Sequence, residues 1–149
     1  MRMEEKIEVA ASAEEIWELI TDIEGSQDRQ SAIDKVEILE RPSEGIIGLK
    51  WRETRTVMGK KAEETMWVID SKPKQYYETE AHNHGMIYKS RMFIEDHGEC
   101  CQMGMSFQAE SQTIGARIMS GIMSVFMKAS MRKMVRKDLE ELKAVIEGN

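Results

Sequence analysis

Three observations in this sequence predict an α+β domain. A Pro-free stretch, Ile114 to Glu147, reads as one long helix. Six short strand candidates precede it, joined by short links containing Gly or Pro, as sequential hairpins require. Ahead of these lie one strand and one capped helix. A run of strands needs a cover for its apolar face, and the long helix is the only segment able to supply it. At ~1.5 Å per residue it would extend on the order of 50 Å, about three times an average helix. The 149 residues fit a single domain spanning 1–149 with a sizeable core.

Glu4 to Ala10 alternates, with Ile7 and Val9 on one side, and reads as the first strand. Ser12-Ala-Glu-Glu15 supplies a capping box, in which Ser12 accepts from the Glu15 amide and Glu15 reaches back. The helix that follows puts Ile16, Leu19, Ile20 and Ile23 on one face and ends near Gly25. The polar residues from Gly25 to Ile33 suit a short helix or turn. The strand candidates are Lys35 to Glu40, Gly48 to Met58, Lys61 to Ser71, Gln75 to His82, Met86 to Asp96 and Glu99 to Glu110.

Two hairpins can be paired residue by residue. With Gly59-Lys60 as a two-residue turn, Val57 faces Ala62, Arg55 faces Glu64, Glu53 faces Met66 and Trp51 faces Val68. This face is more apolar than its reverse and is taken as inward, which gathers Glu53, Arg55 and Glu64 inside. With His97-Gly98 as the second turn, Ile94 faces Cys101, Met92 faces Met103, Ser90 faces Met105 and Tyr88 faces Phe107. Alternation this regular implies one wet and one covered face, with the first half of the long helix as the cover.

Along that helix the apolar arc changes sides. Ile118, Met119, Ile122, Met123 and Phe126 form one arc, whereas Met131, Met134, Val135, Leu139, Leu142 and Ile146 follow the opposite side. A straight rod cannot bury both against one surface. Either it bends near Phe126 to Ser130, or its halves meet different things. If it stays straight, the second arc becomes an exposed strip suited to dimerisation, leaving monomer and homodimer both open.

A net charge of −6 argues against nucleic-acid binding, because phosphate affinity needs a basic surface. The basic cluster Arg132, Lys133, Arg136 and Lys137 reads as a solvated helix face paired with Glu140 and Glu141. At most it would give transient contact with an anionic membrane. No apolar run is long enough to span a bilayer, and the N-terminal Met1 to Lys6 lacks the apolar core of a secretory signal, so a cytoplasmic protein is expected. Cys100 and Cys101 are adjacent and poorly placed to bond to each other, so both are expected as thiols. His82 and His84 share a strand face, but no Cys or Asp at motif spacing completes a metal site. No metal and no cofactor are expected.

These features together resemble the START-like, or SRPBCC, helix-grip superfamily, which includes polyketide cyclase-like and birch-pollen-allergen-like proteins. The resemblance covers nearly the whole chain and is carried by Ile7 to Asp22 (IEVAASAEEIWELITD), Gly48 to Lys60 (GLKWRETRTVMGK) and the terminal helix ending in Asp138-Leu-Glu-Glu-Leu-Lys143. It implies a seven-stranded antiparallel sheet wrapped around the long C-terminal helix, with a short N-terminal helical segment. It also implies a cavity between sheet and helix for lipids, polyketides or other apolar molecules. The chain departs from the family where aromatic or Pro residues after the first helix are replaced by Gln27, Asp28, Arg29 and Gln30.

Within that cavity, Trp51, Met66, Tyr88, Met92, Met103, Met105 and Phe107 of the strands would form the walls, facing Met119, Ile122, Met123 and Phe126 of the helix. Methionine is flexible and polarizable, which suits ligands of varied shape, although it also simply fills cores. Glu53, Arg55 and Ser90 would provide the polar contacts. A buried Glu53–Arg55–Glu64 network most simply anchors two strands. Arg55 can also hold a ligand carboxylate in a bidentate fork. The leading expectation is binding or carriage of a small hydrophobic ligand. A cyclase or dehydratase-like enzyme is the alternative, with Glu53 or Glu64 moving a proton and Arg55 steadying oxyanion charge. A third class is an interaction protein working through the C-terminal helix.

Overall fold

The computed structural model describes residues 2–57, 59–83, 85–111 and 114–148, with side chains described except at 57, 111 and 114–128. The chain runs β1 (Arg2–Val9), α1 (Ala13–Thr21), α2 (Ser26–Arg29), β2 (Ile33–Glu40), β3 (Lys50–Val57), β4 (Lys60–Lys72), β5 (Tyr76–Asn83), β6 (Met86–Asp96), β7 (Cys101–Ser111) and α3 (Ile114–Glu147). The strands form one antiparallel sheet in the order β1-β7-β6-β5-β4-β3-β2. β1 and β2 are therefore its two edges, and α1 with α2 is the link between them. A short link can join the two edges only if the sheet curls, and the curl creates the concave face against which α3 lies. This is the helix-grip architecture.

The capping box forms: the Glu15 amide donates to Ser12 Oγ at 3.2 Å and the Ser12 amide to Glu15 Oε1 at 3.4 Å. Ala13, Ile16 and Ile20 are the buried side of α1, while Ile23 is buried beyond its end. Arg29 closes that end. Its Nη2 donates to the carbonyls of Leu19 at 3.3 Å and Asp22 at 2.6 Å, and its Nη1 pairs with Asp22 Oδ2 at 3.0 Å. Gln27 Oε1 accepts from the Val36 amide at 3.2 Å and so holds β2. Two of the polar residues that depart from the family pattern, Gln27 and Arg29, thus satisfy backbone groups of β2 and of the end of α1.

Both hairpin registers differ from the predicted ones by one residue pair. Arg55 lies opposite Ala62, Glu53 opposite Glu64 and Trp51 opposite Met66, because Val57 already pairs with Lys60. In the second hairpin Asp96 pairs with Cys101, leaving a four-residue loop, so that Ile94 faces Met103, Met92 faces Met105 and Ser90 faces Phe107. Asp96 Oδ1 accepts from the Gly98 amide at 2.8 Å, and Gly98 sits at φ +91°, which fixes the longer turn. A slip of one pair shifts partners by two residues and preserves faces, so the inward assignments hold.

The core joins β1, β6 and β7 to α1 and α3 through Val9, Ile16, Met92, Ile94, Cys101, Met103, Val135, Leu139 and Leu142. The second apolar arc of α3 is thus packed, with Val135, Leu139 and Leu142 at 5%, 1% and 5% exposure, and is no free dimerisation strip. The first arc, Ile118 to Phe126, lies outside the described side chains, so the described cover of the sheet comes from the second half of α3. The basic face has a partner that the sequence reading missed. Glu5 projects from β1 beneath α3 and binds Arg132 Nε at 3.1 Å and Arg136 Nη1 at 3.0 Å. Glu140 reaches Arg136 only at 4.0 Å, and Glu141 instead accepts from the Ser31 amide and hydroxyl. On the outer face, the Phe93 ring lies where a Cβ on Gly104 would stand, so any larger residue there would have to displace that ring.

Candidate functional site

Alternation along β3 sends Trp51, Glu53 and Arg55 to the concave face. Opposite them β4 presents Glu64 and Met66, and the inward residues of β5, β6 and β7 continue the wall with Tyr77, Thr79, Tyr88, Ser90, Met92, Met105 and Phe107. Together with the end of α1, with α2 and with the second half of α3, they enclose a cavity of about 750 Å³, mostly apolar in lining. Tyr88 and Phe107 stack at 5.7 Å between centroids. Tyr77 donates to the Ile20 carbonyl at 3.2 Å and meets the Trp17 ring edge-on, which ties α1 to the sheet.

One polar cluster interrupts this lining. Arg55 Nε donates to Glu53 Oε2 at 2.7 Å, and Arg55 Nη2 to Asp138 Oδ2 of α3 at 2.9 Å. The side chains of Arg55, Glu53 and Asp138 are 19%, 13% and 8% exposed, so these charge-assisted bonds are made largely out of water. Burial pulls the Arg55 guanidinium down, but Glu53 and Asp138 outweigh it and hold the group more firmly charged than usual. Burial raises the Asp138 carboxyl above its ordinary value, against the lowering effect of Arg55 and of the nearby Gln30 amide. Burial, then Glu53, raises Glu64, against Arg55. Burial and Glu64 together push the Tyr88 hydroxyl up. Four buried atoms of the cavity-lining residues have no hydrogen-bond partner among the described residues: Arg29 Nε, Trp51 Nε1, Arg55 Nη1 and Asp138 Oδ1.

Of the residues singled out from sequence, Trp51, Glu53, Arg55, Glu64, Met66, Tyr88, Ser90, Met92, Met105 and Phe107 line the cavity. Met103 does not: it is fully buried in the core, beneath α1 and α3. Met119, Ile122, Met123 and Phe126 lie outside the described side chains. Arg55 spends Nε on Glu53 and one N–H of Nη2 on Asp138, and keeps Nη1 without a partner among the described residues. The sequence reading missed Asp138, the only acid on the Met131 to Ile146 arc, where an apolar residue is due; that break in the pattern was the available signal.

Among the described residues no three His, Cys, Asp or Glu side chains converge as a metal site, and His84 lies outside them. Trp67 takes the His82 ring edge-on, with Glu80 3.8 Å from His82 Nε2. Both cysteines are free thiols; Cys101 is buried against the core, and Cys100 donates to Glu8 Oε1 at 2.8 Å. No helix among the described residues is long and apolar enough to cross a membrane.

The sequence profile described as polyketide cyclase / dehydrase and lipid transport matches residues 1–147. The chain belongs to that family. No curated protein matches it significantly. Among solved structures, this family member is similar to a protein from Thermus thermophilus (17% identity, TM-score 0.81, covering 99% of this chain and 98% of that one). The Zhui aromatase/cyclase from Streptomyces sp. R1128 is similar at 19% identity and TM-score 0.81, covering 99% and 93%. A START superfamily protein from Mycobacterium smegmatis is similar at 17% identity and TM-score 0.66, covering 91% and 97%. At these identities the structures establish the shared fold.

Glu64 offers a direct check on the electrostatics of the cavity. Its carboxyl is raised in the folded chain, so its ionisation opposes folding. Below the ordinary glutamate range it is protonated whether folded or unfolded and costs nothing. As pH rises the unfolded chain ionises first, and stability falls until folded Glu64 has ionised too. Glu64→Gln is therefore expected to raise the melting temperature at about pH 8 and to lose that advantage near pH 4, below the usual glutamate value. Thermal melts at the two pH values decide it. An equal advantage at both would mean that charge is not the cause.

Proposed function

We propose that this protein binds and carries a small, largely apolar molecule, lipid-like or polyketide-like, between the sheet and α3. The cavity carries the reading: about 750 Å³, lined mainly by methionine, aromatic and aliphatic side chains, with a buried polar cluster around Arg55. Cavities of this size and lining suit drug-sized ligands. Native mass spectrometry of the freshly purified protein tests it. A retained adduct of roughly a few hundred daltons is expected, and Met105→Trp, which fills the space beside Met92, is expected to abolish it. An adduct that survives in Met105→Trp would place the ligand elsewhere.

A cyclase or dehydratase-like activity is the second reading, favoured by the raised carboxyl of Glu64 inside an apolar cavity. A carboxyl so placed can hold and deliver a proton, with Arg55 Nη1 left to meet developing oxyanion charge. On that reading Glu53→Gln or Glu64→Gln removes turnover while the adduct persists. On the carriage reading neither substitution changes anything that depends on chemistry.

A further inference from the structure

Arg55 and Asp138 each keep one polar atom unpartnered among the described residues, and the two atoms belong to the same bonded pair. Nη2 donates to Oδ2 at 2.9 Å, leaving Nη1 as a spare donor and Oδ1 as a spare acceptor, with the Gln30 amide close to the same carboxyl. Asp138 is 8% exposed at its side chain, and both residues line the cavity. A spare donor next to a spare acceptor suits a group that accepts and donates at once. A hydroxyl does both, whereas a carboxylate only accepts and an ammonium only donates.

Charge selects in the same direction. Asp22, Glu53, Glu63, Glu64 and Asp138 contribute five carboxyl groups to the cavity lining against the two guanidinium groups of Arg29 and Arg55, and Glu64 has no ion pair or side-chain hydrogen bond among the described residues. A ligand carboxylate would add a further negative charge where water is scarce. The raised carboxyls of Glu64 and Asp138 reflect the same burden.

Resting on the proposed reading of the cavity as a ligand site, we infer that it selects neutral molecules whose hydroxyl bridges Arg55 Nη1 and Asp138 Oδ1, and that it refuses carboxylates of the same shape. An alcohol or a phenol, and not a fatty acid, is then its ligand class. Trp51 Nε1, buried on the same strand face as Arg55, is available to a second oxygen acceptor farther along the ligand.

Four probes with one apolar body test this by calorimetry on the full chain at neutral pH: 2-naphthaleneethanol, 2-ethylnaphthalene, 2-naphthaleneacetate and 2-(2-naphthyl)ethylamine. The alcohol is expected to bind about tenfold tighter than the carboxylate, as one lost charge-assisted contact implies, and tighter than the hydrocarbon. A site that did not engage the hydroxyl would favour the hydrocarbon, since burying an unmet hydroxyl is costly. Asp138→Leu should remove the preference for the alcohol over the hydrocarbon. Glu64→Gln leaves the pair intact and should narrow the handicap of the carboxylate. If the hydrocarbon, the carboxylate or the amine binds tightest, the hydroxyl selection is overturned and carriage stands. If none of the four binds, both readings fall together.

Discussion

Replacing Arg55 with methionine is expected to destabilise the protein by about 3–5 kcal/mol at neutral pH, the scale of breaking a buried ion pair from one side. The guanidinium lies between Glu53 and Asp138 and bonds each at 2.7 and 2.9 Å. Methionine keeps much of the volume but removes the cation that Glu53 and Asp138 share, leaving these carboxylates and the nearby Glu64 to face one another out of water. The loss should shrink on acidification. Asp138, already raised by burial, then takes up a proton and no longer needs a counter-charge. Urea unfolding at neutral and mildly acidic pH measures both effects. A change below about 1 kcal/mol at neutral pH would mean that water already serves these carboxylates. Because Arg55 joins β3 to α3, the same substitution should loosen the helix over the cavity, which a weaker retained adduct would report.

Strand alternation made the inward faces readable, since Trp51, Glu53 and Arg55 can only share a side. Partners were less readable than faces. Turn length sets the register, and the Asp96 carboxylate that caps the Gly98 amide supports a four-residue loop that residue composition alone does not distinguish from a two-residue one. The second apolar arc of α3 was readable as one stripe, and it is a side that packs. Which surface it meets was not readable, because that depends on β1 being the edge strand beside β7, a pairing that spans most of the chain. Glu5 shows the same limit: an acid in a first strand looks solvated until α3 is laid over it. Arg29 looked like an exposed residue in a polar linker, yet it closes α1, because nothing local announces a side chain that reaches back seven residues to Asp22 and ten to Leu19. Asp138 was within reach of the sequence, as one acid on an otherwise apolar stripe. Its partner Arg55, 83 residues away, was not.

Met103 and Met105 stand two residues apart on the same face of β7, and the fold gives them different roles. Met103 is fully buried among Ile7, Ile94 and the core residues of α1 and α3, whereas Met105 borders the cavity and pairs with Met92. Met103→Ala is expected to cost about 2–5 kcal/mol, because close-packed neighbours cannot collapse into the space that it vacates. Met105→Ala should cost clearly less, because its side chain already has open space on one side and fewer packing contacts to lose. Ligand binding should divide the opposite way: Met105→Ala enlarges the site and shifts the size of molecule retained, while Met103→Ala leaves the retained mass unchanged in whatever fraction stays folded. Denaturant unfolding of the two variants, paired with native mass spectrometry, reads both. Equal costs would show that the wall at Met105 is packed as tightly as the core, and the space assigned to a ligand would then have to lie nearer Trp51 and Tyr77.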